Sequence, residues 1–419
     1  MKGEGRRPVA VAVDAYTSAN FLPPAFARHG ADMIHLQTTP ELFTRMAPPR
    51  PELFGAFLVL DDDDATIARL AAYDPICIIP GQEYGVPAAD RLSERMGLPG
   101  NGTALSRARR DKYEMVEVVR AAGLHCARQI RSGDVAEILD WIGRTGCLPC
   151  VVKPLASAST DGVTICTAVE EVGPAVAAVL AVDDIFGDPN REVVVQSFLD
   201  GPEYYVDTVS RDGRHAIVGV GLYDKKLLPG GRRIYDRDIM VGPEDGHARA
   251  VADYALAVLD AFQVRHGPSH IEVIVTADGP ALVEIGTRVN GNLHPEFQDL
   301  CLGTNQADLT ALAYVDPDRF ALGTAARDWT PRQPAELLHV AVDQEGTVAA
   351  LDPEVTAEIE GLPTVFAVQF KLTPGKRVQP TIDLLTSPIR VFMTGGSAAA
   401  IAADRARIEA LKHRVHVLS

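Results

Sequence analysis

Over the first hundred residues, apolar runs too short for helices alternate with segments whose apolar positions recur every three or four residues. "VAVAVDAY" (9–16), apolar up to Asp14, predicts a buried strand; "SANFLPPAFARHGA" (18–31) predicts a helix ending at Gly30, and "DMIHLQ" (32–37) the next strand. "GAFLVL" (55–60) and "PICIIPG" (75–81) follow as further strands. Strands that alternate with helices predict a parallel sheet covered on its faces. The acidic run "DDDD" (61–64) predicts a solvated loop at a helix start, where carboxylates meet the positive end of the dipole.

From "SRARRDKYEMVEVVRAAGLH" (106–125) the character changes. A helix carrying Lys112 closes at Gly123, followed by the strand "CVVKP" (150–154), a small-residue loop and the strand "VTIC" (163–166). The helix "AVEEVGPAVAAVLA" precedes the strand "EVVVQSFL", then "EYYVDTVS", "HAIVGVGLYD", "HIEVIVT" and "ALVEIG" add strands bounded by Gly, Asp or Asn. Beyond about residue 320 come the short strands "ELLHVAV", "TVFAVQF" and "PIRVFMTG" and a final helix, "SAAAIAADRARIEALKHR". No internal repeat or low-complexity tract interrupts this order.

Composition narrows the class. A chain of 419 residues predicts about two or three domains. Its 47% hydrophobic and 23% charged residues suit a globular enzyme with a sizeable core. The formal net charge of −16 argues against nucleic acid or an anionic membrane surface as partner. The N-terminal apolar run breaks at Asp14 and lacks a cleavage pattern, so it predicts a first strand and not a signal peptide. No apolar stretch reaches the roughly 20 residues that span a bilayer, and a cytoplasmic location is expected. Cys147 and Cys150 form a C-x-x-C that precedes a strand, with no second pair at zinc spacing; buried thiols are the expectation for the six cysteines.

Four groups of residues carry candidate chemistry. Lys153 with the loop "ASASTDGV" (156–163) could close backbone N–H groups and a countercharge over phosphate oxygens, although a plain β-hairpin has the same pattern. It is not a Walker loop, and "DAYTSAN" (14–20) lacks the glycines of a dinucleotide site. In "VVVQSFLDGPEYYVD" (193–207), a strand leads through Gln196, Phe198 and Leu199 to Glu203: an apolar wall and hinge for an adenine, with a carboxylate for ribose hydroxyls. Glu272 and Glu284 lie in two strands joined by the turn "TADGPA". A hairpin puts such carboxylates on one face, where they repel unless a cation lies between them, and two carboxylates completed by triphosphate oxygens and water make the usual Mg²⁺ arrangement. Finally "ALVEIGTRVNGN" (281–292) delivers Arg288, then Asn290, Gly291 and Asn292. An arginine just past a metal carboxylate can hold a phosphoryl group or a carboxylate through two parallel hydrogen bonds.

As an ordered set, Lys112, Lys153 with its loop, "QSFLDGPE" and "E…VEIGTR" resemble the ATP-grasp superfamily, and "QSFLDGPEYYVD" resembles the hinge of D-alanine–D-alanine ligases. The resemblance implies ATP phosphates on Lys112, Lys153, Ser157 and Ser159, adenine against Gln196, Phe198 and Leu199, ribose on Glu203, and Mg²⁺ (or Mn²⁺) on Glu272 and Glu284. Many members have Glu-x-Asn where this chain has Gly286, which leaves a second metal without its amide ligand unless Asn290 or water replaces it. The Glu-Ile-Gly-x-Arg variant is similar to the L-amino-acid ligase branch, which makes dipeptides and peptide-like natural products. "PGQEYGVPAADRLSERMGLPGN", "SHIEVIV", "YDKK" and "PGKRVQPTIDLLTSPIRVFMTG" fit that branch too.

That resemblance implies a mixed α/β and α+β architecture: a Rossmann-like parallel-sheet domain (1–105), an ATP-grasp core (106–320) with a mobile lid near 128–195, and a β-rich C-terminal domain (321–419). It implies a carboxylate–amine ligase that works through an acyl phosphate, with amino-acid or peptide substrates and no nucleic-acid or membrane partner; a homodimer stays open. Arg288 is expected to grip the reacting carboxylate or its phosphorylated form, and Lys225 to neutralise the γ-phosphate or to be a surface lysine. Glu83, His270, Asn290 and Gly291 are expected near substrate, with Glu83 as either a site for an amine or a helix cap and His270 as a support for Glu272. A carboxylase using another nucleophile, or a non-catalytic nucleotide-binding subunit, would share parts of this set. The first would usually carry the missing Asn, and the second would have lost Lys153 or a metal glutamate.

Overall fold

The computed structural model describes residues 7–43, 46–155, 162–183, 189–227, 233–324, 328–384 and 386–419. Near the N-terminus, four parallel strands stand in the order Phe57–Val59, Asp32–Gln37, Val9–Val13, Pro75–Pro80. Val9–Val13 is continuously apolar because both its faces are covered. Val9, Val11 and Val13 pack with Ile34, Ile78 and Leu92, whereas Ala10 and Ala12 face Leu22, Phe26 and Ile79. The second face also receives Val289, Leu293, Ala307 and Ala311, which fixes the segment after Arg288 against the N-terminal sheet. The predicted first helix divides into a 3₁₀ turn, Thr17–Phe21, and an α-helix, Leu22–Arg28. Pro23 and Pro24 account for the division, because proline lacks an N–H and belongs in a first helical turn.

Residues 129–197 build a separate antiparallel sheet in the order Gln129–Ser132, Val193–Ser197, Cys150–Pro154, Thr164–Cys166. Helices Val135–Thr145 and Val169–Leu180 bury Cys150, Val152, Val193 and Val195 on one face. By alternation, Val151, Lys153 and Gln196 occupy the other face. The Lys153 strand and the Gln196 strand are hydrogen-bonded neighbours.

The largest sheet has eight antiparallel strands, in the order Gly279–Gly286, Gly267–Thr276, Glu203–Arg211, Arg214–Leu227, Arg233–Val241, Ala335–Val340, Ile389–Thr394, Val365–Phe370. Helices Lys112–Ala121 and Ala248–Ala261 cover one face, where Met115, Val251 and Val258 meet Val206, Ile271 and Ile285. The last three strands come from the C-terminal hundred residues. Their hydrogen bonding to Arg233–Val241 (Arg237 opposite Leu338) joins this β-rich region to the central sheet, while Gly346–Leu351, Arg377–Val378 and His416–Leu418 form a small sheet of its own. Helices Pro353–Glu360 and Ala398–Leu411 pack on that extension. No helix among the described residues is long and apolar enough to cross a membrane. None of the six cysteines is in a disulfide; five are buried and Cys126 is half-buried.

Candidate active site

The uncovered faces of the two antiparallel sheets, the segment 82–83, the loop 286–292 and the C-terminal strands enclose one cavity of about 380 Å³. Its wall carries four carboxylates (Glu83, Glu203, Glu272, Glu284) and five cations (Lys112, Lys153, Lys225, Arg288, Arg390). In a chain with a net charge of −16, five cations against four carboxylates leave this wall slightly positive, which suits a polyphosphate.

At the end formed by the smaller sheet, Val151, Ile165, Phe198 and Leu199 provide apolar wall, and Gln196 Nε2 donates to Gln129 Oε1 at 2.9 Å. The Ser197 and Phe198 N–H groups are already given to Arg128 O and Pro149 O, so neither is free for a base. Lys153 is buried, and burial, then repulsion from Lys112, pulls its ammonium down to about 8 against the attraction of Glu284, Glu272 and Glu203. Ser157 and Ser159 lie outside the described residues.

Glu203 is buried, with Oε1 accepting from Tyr235 O–H at 2.9 Å and Oε2 from Lys225 Nζ at 2.5 Å. The Lys225 ammonium also lies 4.6 Å from the centre of the Tyr235 ring. Lys225 is therefore not the surface lysine that its exposed type allows: Tyr223 stands opposite Glu203, and two residues on Lys225 returns to the same face.

Glu272 and Glu284 are directly opposite each other in the sheet register. Lys112, the first residue of its helix, sends Nζ to 2.8 Å from Glu284 Oε1, so it stands on a carboxylate where phosphate was expected. Burial raises the Glu284 carboxyl above its ordinary value, with Lys112 opposing and Glu83 and Glu272 adding to the rise. Burial also pushes on Glu272, but the hydrogen bond from His270 wins and holds that carboxyl below its usual range. A half-buried carboxylate pair of this kind fits a divalent cation. Among the described residues no three His, Cys, Asp or Glu converge on one point, so such a cation would draw its remaining oxygens from phosphate and water.

His270 is fully committed. Nδ1 is 2.7 Å from Asp207 Oδ1, and Nε2 is 3.3 Å from Glu272 Oε1 and 3.2 Å from Tyr223 O–H. Burial disfavours its charge, yet the bonds to Asp207 and Glu272 raise it to about 9. His270 thus supports Glu272 while also lining the cavity. Asn290 is committed too: Nδ2 donates to Asp207 Oδ2 at 2.9 Å and Oδ1 accepts the Asn292 N–H at 2.8 Å. Its amide oxygen has one of two lone pairs engaged, and the residue also lines the cavity. Gly291 lies at the cavity margin.

Arg288 donates from Nη2 to Glu83 Oε1 at 2.6 Å and from Nη1 to Val289 O at 3.0 Å, while Nε is buried without a partner. Burial pushes the Glu83 carboxyl up, but Arg288, followed by Lys112 and Arg110, holds it below its ordinary range. Glu83 caps no helix; the α-helix Val86–Arg95 has Gly85 at its N-cap position. A Cβ at Gly286 would lie 3.3 Å from Arg288 Cζ and 3.3 Å from Glu83 Oε1. The glycine leaves space in which this ion pair sits.

Sequence reasoning missed Asp207, Tyr235 and Arg390. Asp207 had a signal, a carboxylate inside the otherwise apolar strand "EYYVDTVS", whereas Arg390 is an ordinary strand arginine until the sheet order brings it to the cavity.

Fold and site together define a class, and comparison with known proteins agrees. Residues 147–296 match the ATP-grasp domain. Dapdiamide A synthase of Enterobacter agglomerans is 32% identical over 390 residues, covering 91% of this chain and 90% of that protein. A D-alanine–D-alanine ligase of Actinobacillus pleuropneumoniae is 30% identical over 49% of this chain and 66% of its own length. The crystal structure of L-amino acid ligase from Bacillus licheniformis superposes with a TM-score of 0.78 at 18% identity, covering 99% of both chains. The chain belongs to the ATP-grasp family of ligases, with the mixed α/β architecture expected. It is an ATP-dependent carboxylate–amine ligase.

Proposed function

We propose that the protein joins the carboxylate of an amino acid, or of an N-substituted amino acid, to the amine of a second amino acid, making a peptide-like natural product and releasing ADP and phosphate. The observation that carries this reading is the placement of Glu272 opposite Glu284 with Arg288 four residues on, all on the wall of one cavity. The similarity to dapdiamide A synthase, whose name states an amide product, supports the product class.

In this reading adenine lies against Val151, Ile165, Phe198 and Leu199, Glu203 takes the ribose hydroxyls, and Lys153 faces the phosphates. Lys225 bridges Glu203 and the phosphate side, since its charge reaches Glu272 as well. Mg²⁺ held by Glu272 and Glu284 would neutralise phosphate charge as it develops. Lys112, now on Glu284, is then released toward phosphate oxygens. Arg288 presents its guanidinium to the donor carboxylate, and Glu83 offers a carboxylate to a donor amine or amide. A donor oxygen attacks the γ-phosphorus and ADP leaves. The acceptor nitrogen then bonds to the acyl carbon, the C–O bond to phosphate breaks, and the amine loses its proton as phosphate departs. The protein's own part is position and charge.

The test is a screen of amino acids and N-acylated amino acids in pairs for ADP and phosphate release. The reading requires release that depends on both a carboxylate and an amine. Release with bicarbonate alone, or with no acceptor, would contradict it.

A further inference from the structure

Arg390 is a cation with no assigned role and, among the described residues, no hydrogen-bond or ion-pair partner. It sits on the strand Ile389–Thr394, between His339 and Gln369 in register, and lines the cavity near Leu384. Its Nε is buried without a hydrogen bond, and among the described residues no carboxylate lies within ion-pair distance of its guanidinium. The nearest electrostatic counterpart, Asp238, has both oxygens engaged: Oδ1 with His339 Nε2 at 3.0 Å and Oδ2 with Asn292 Nδ2 at 2.9 Å. Near Arg390, Lys371 gives its ammonium to the Leu384 carbonyl at 2.8 Å and is attracted by Asp383. Burial, then repulsion from Arg390, lowers that ammonium to about 7, while burial lowers the Arg390 guanidinium from its ordinary value. Among the described residues neither half-buried cation has a carboxylate within ion-pair distance, an arrangement that is costly unless an anion comes to it.

The cavity limits which anion that is. Nucleotide contacts occupy the Lys153–Gln196 wall, and Arg288 with Glu83 holds the opposite end for the donor. The wall left over is the C-terminal one. The loop Arg288–Asn290–Asn292 leads to it through Asp238, which Asn292 and His339 hold beneath Arg390. An acceptor amine that attacks from this side must bring whatever the acceptor carries next to its amine.

We propose that Arg390 binds the α-carboxylate of the amino acid that supplies the amine, and so restricts acceptors to those with a free carboxylate. The guanidinium fork matches a carboxylate bidentately, and Lys371 adds charge nearby. This assignment rests on the ligase reading above, and its test separates the two.

The probes are hydroxylamine, which traps an acyl phosphate as a hydroxamate and has no carboxylate, and the twenty proteinogenic amino acids with their carboxamides. The wild-type protein should use an amino acid in preference to its carboxamide by about tenfold or more. In Arg390→Gln, kcat/KM for the amino acid divided by that for hydroxylamine should fall at least about tenfold, chiefly through KM. Arg390→Lys, which keeps the charge and loses the fork, should show a smaller fall and serves if the Gln variant does not fold. A ratio unchanged in both variants, or a wild-type protein indifferent to amidation, would overturn the role of Arg390. If no donor yields hydroxamate with wild-type protein, the ligase reading itself fails, and Arg390 with it.

Discussion

Glu83 and Arg288 are 205 residues apart in the chain and 2.6 Å apart in the cavity wall. One comes from the turn after a parallel strand, the other from the loop after the strand that carries Glu284; their meeting ties the N-terminal sheet to the central one. Because Arg288 is restrained by Glu83 and by the Val289 carbonyl, its fork is oriented before substrate arrives.

Arg288→Lys keeps the charge and loses that geometry. Turnover should fall about 100-fold while ATP binding changes by less than about threefold, because the lost bonds belong to the transition state. Steady-state kinetics with a direct ATP-binding measurement and a melting curve check it. If melting temperature and activity fall together, the arginine is structural.

Gly286→Ala tests the space that the pair occupies. The new methyl would press on Arg288 Cζ and Glu83 Oε1, each 3.3 Å away. The guanidinium should shift by a few tenths of an ångström and kcat should fall about tenfold, with little change in melting temperature. Wild-type kcat in this variant would show that Arg288 placement is not limiting.

His270 supplies a pH dependence. Its folded value of about 9 lies above the ordinary 6.5, so its bonds to Asp207 and Glu272 stabilise the fold fully below about 6.5 and are lost as pH rises through 9. The wild-type melting temperature should therefore fall more steeply between pH 6.5 and 9 than that of His270→Gln. Parallel curves would mean that the histidine is not charged in the folded protein.

Lys153→Ala removes a buried cation that has no dedicated ion-pair partner among the described residues. ADP formation should drop below detection while the melting temperature is kept or rises. Normal ATP affinity and turnover would remove Lys153 from the phosphate site.

The strands and the hairpin carrying Glu272 and Glu284 were legible because alternation is local: "HIEVIV" and "ALVEIG" encode which side chains share a face. Sheet partners were not. Nothing in "PIRVFMTG" says that it pairs with Ala335–Val340 and extends the central sheet, so Arg390 remained invisible as a cavity residue. Lys112 was found by type and position, but its contact with Glu284 depends on how a helix docks across the sheet, which the chain does not write locally. Gly286 was noticed as a departure from the family; its meaning appeared only once Glu83, from 203 positions earlier, was seen in the same space. The helix Ala248–Ala261 escaped because its many alanines blur the apolar stripe.

The account's central claim is that ATP activates the donor as an acyl phosphate between Lys153, Glu284 and Arg288. With donor carboxylate labelled with ¹⁸O and a full ligation mixture, mass spectrometry of the released phosphate measures it directly. One ¹⁸O atom should pass into phosphate per amide formed. Phosphate free of label, or label recovered in AMP, would contradict it.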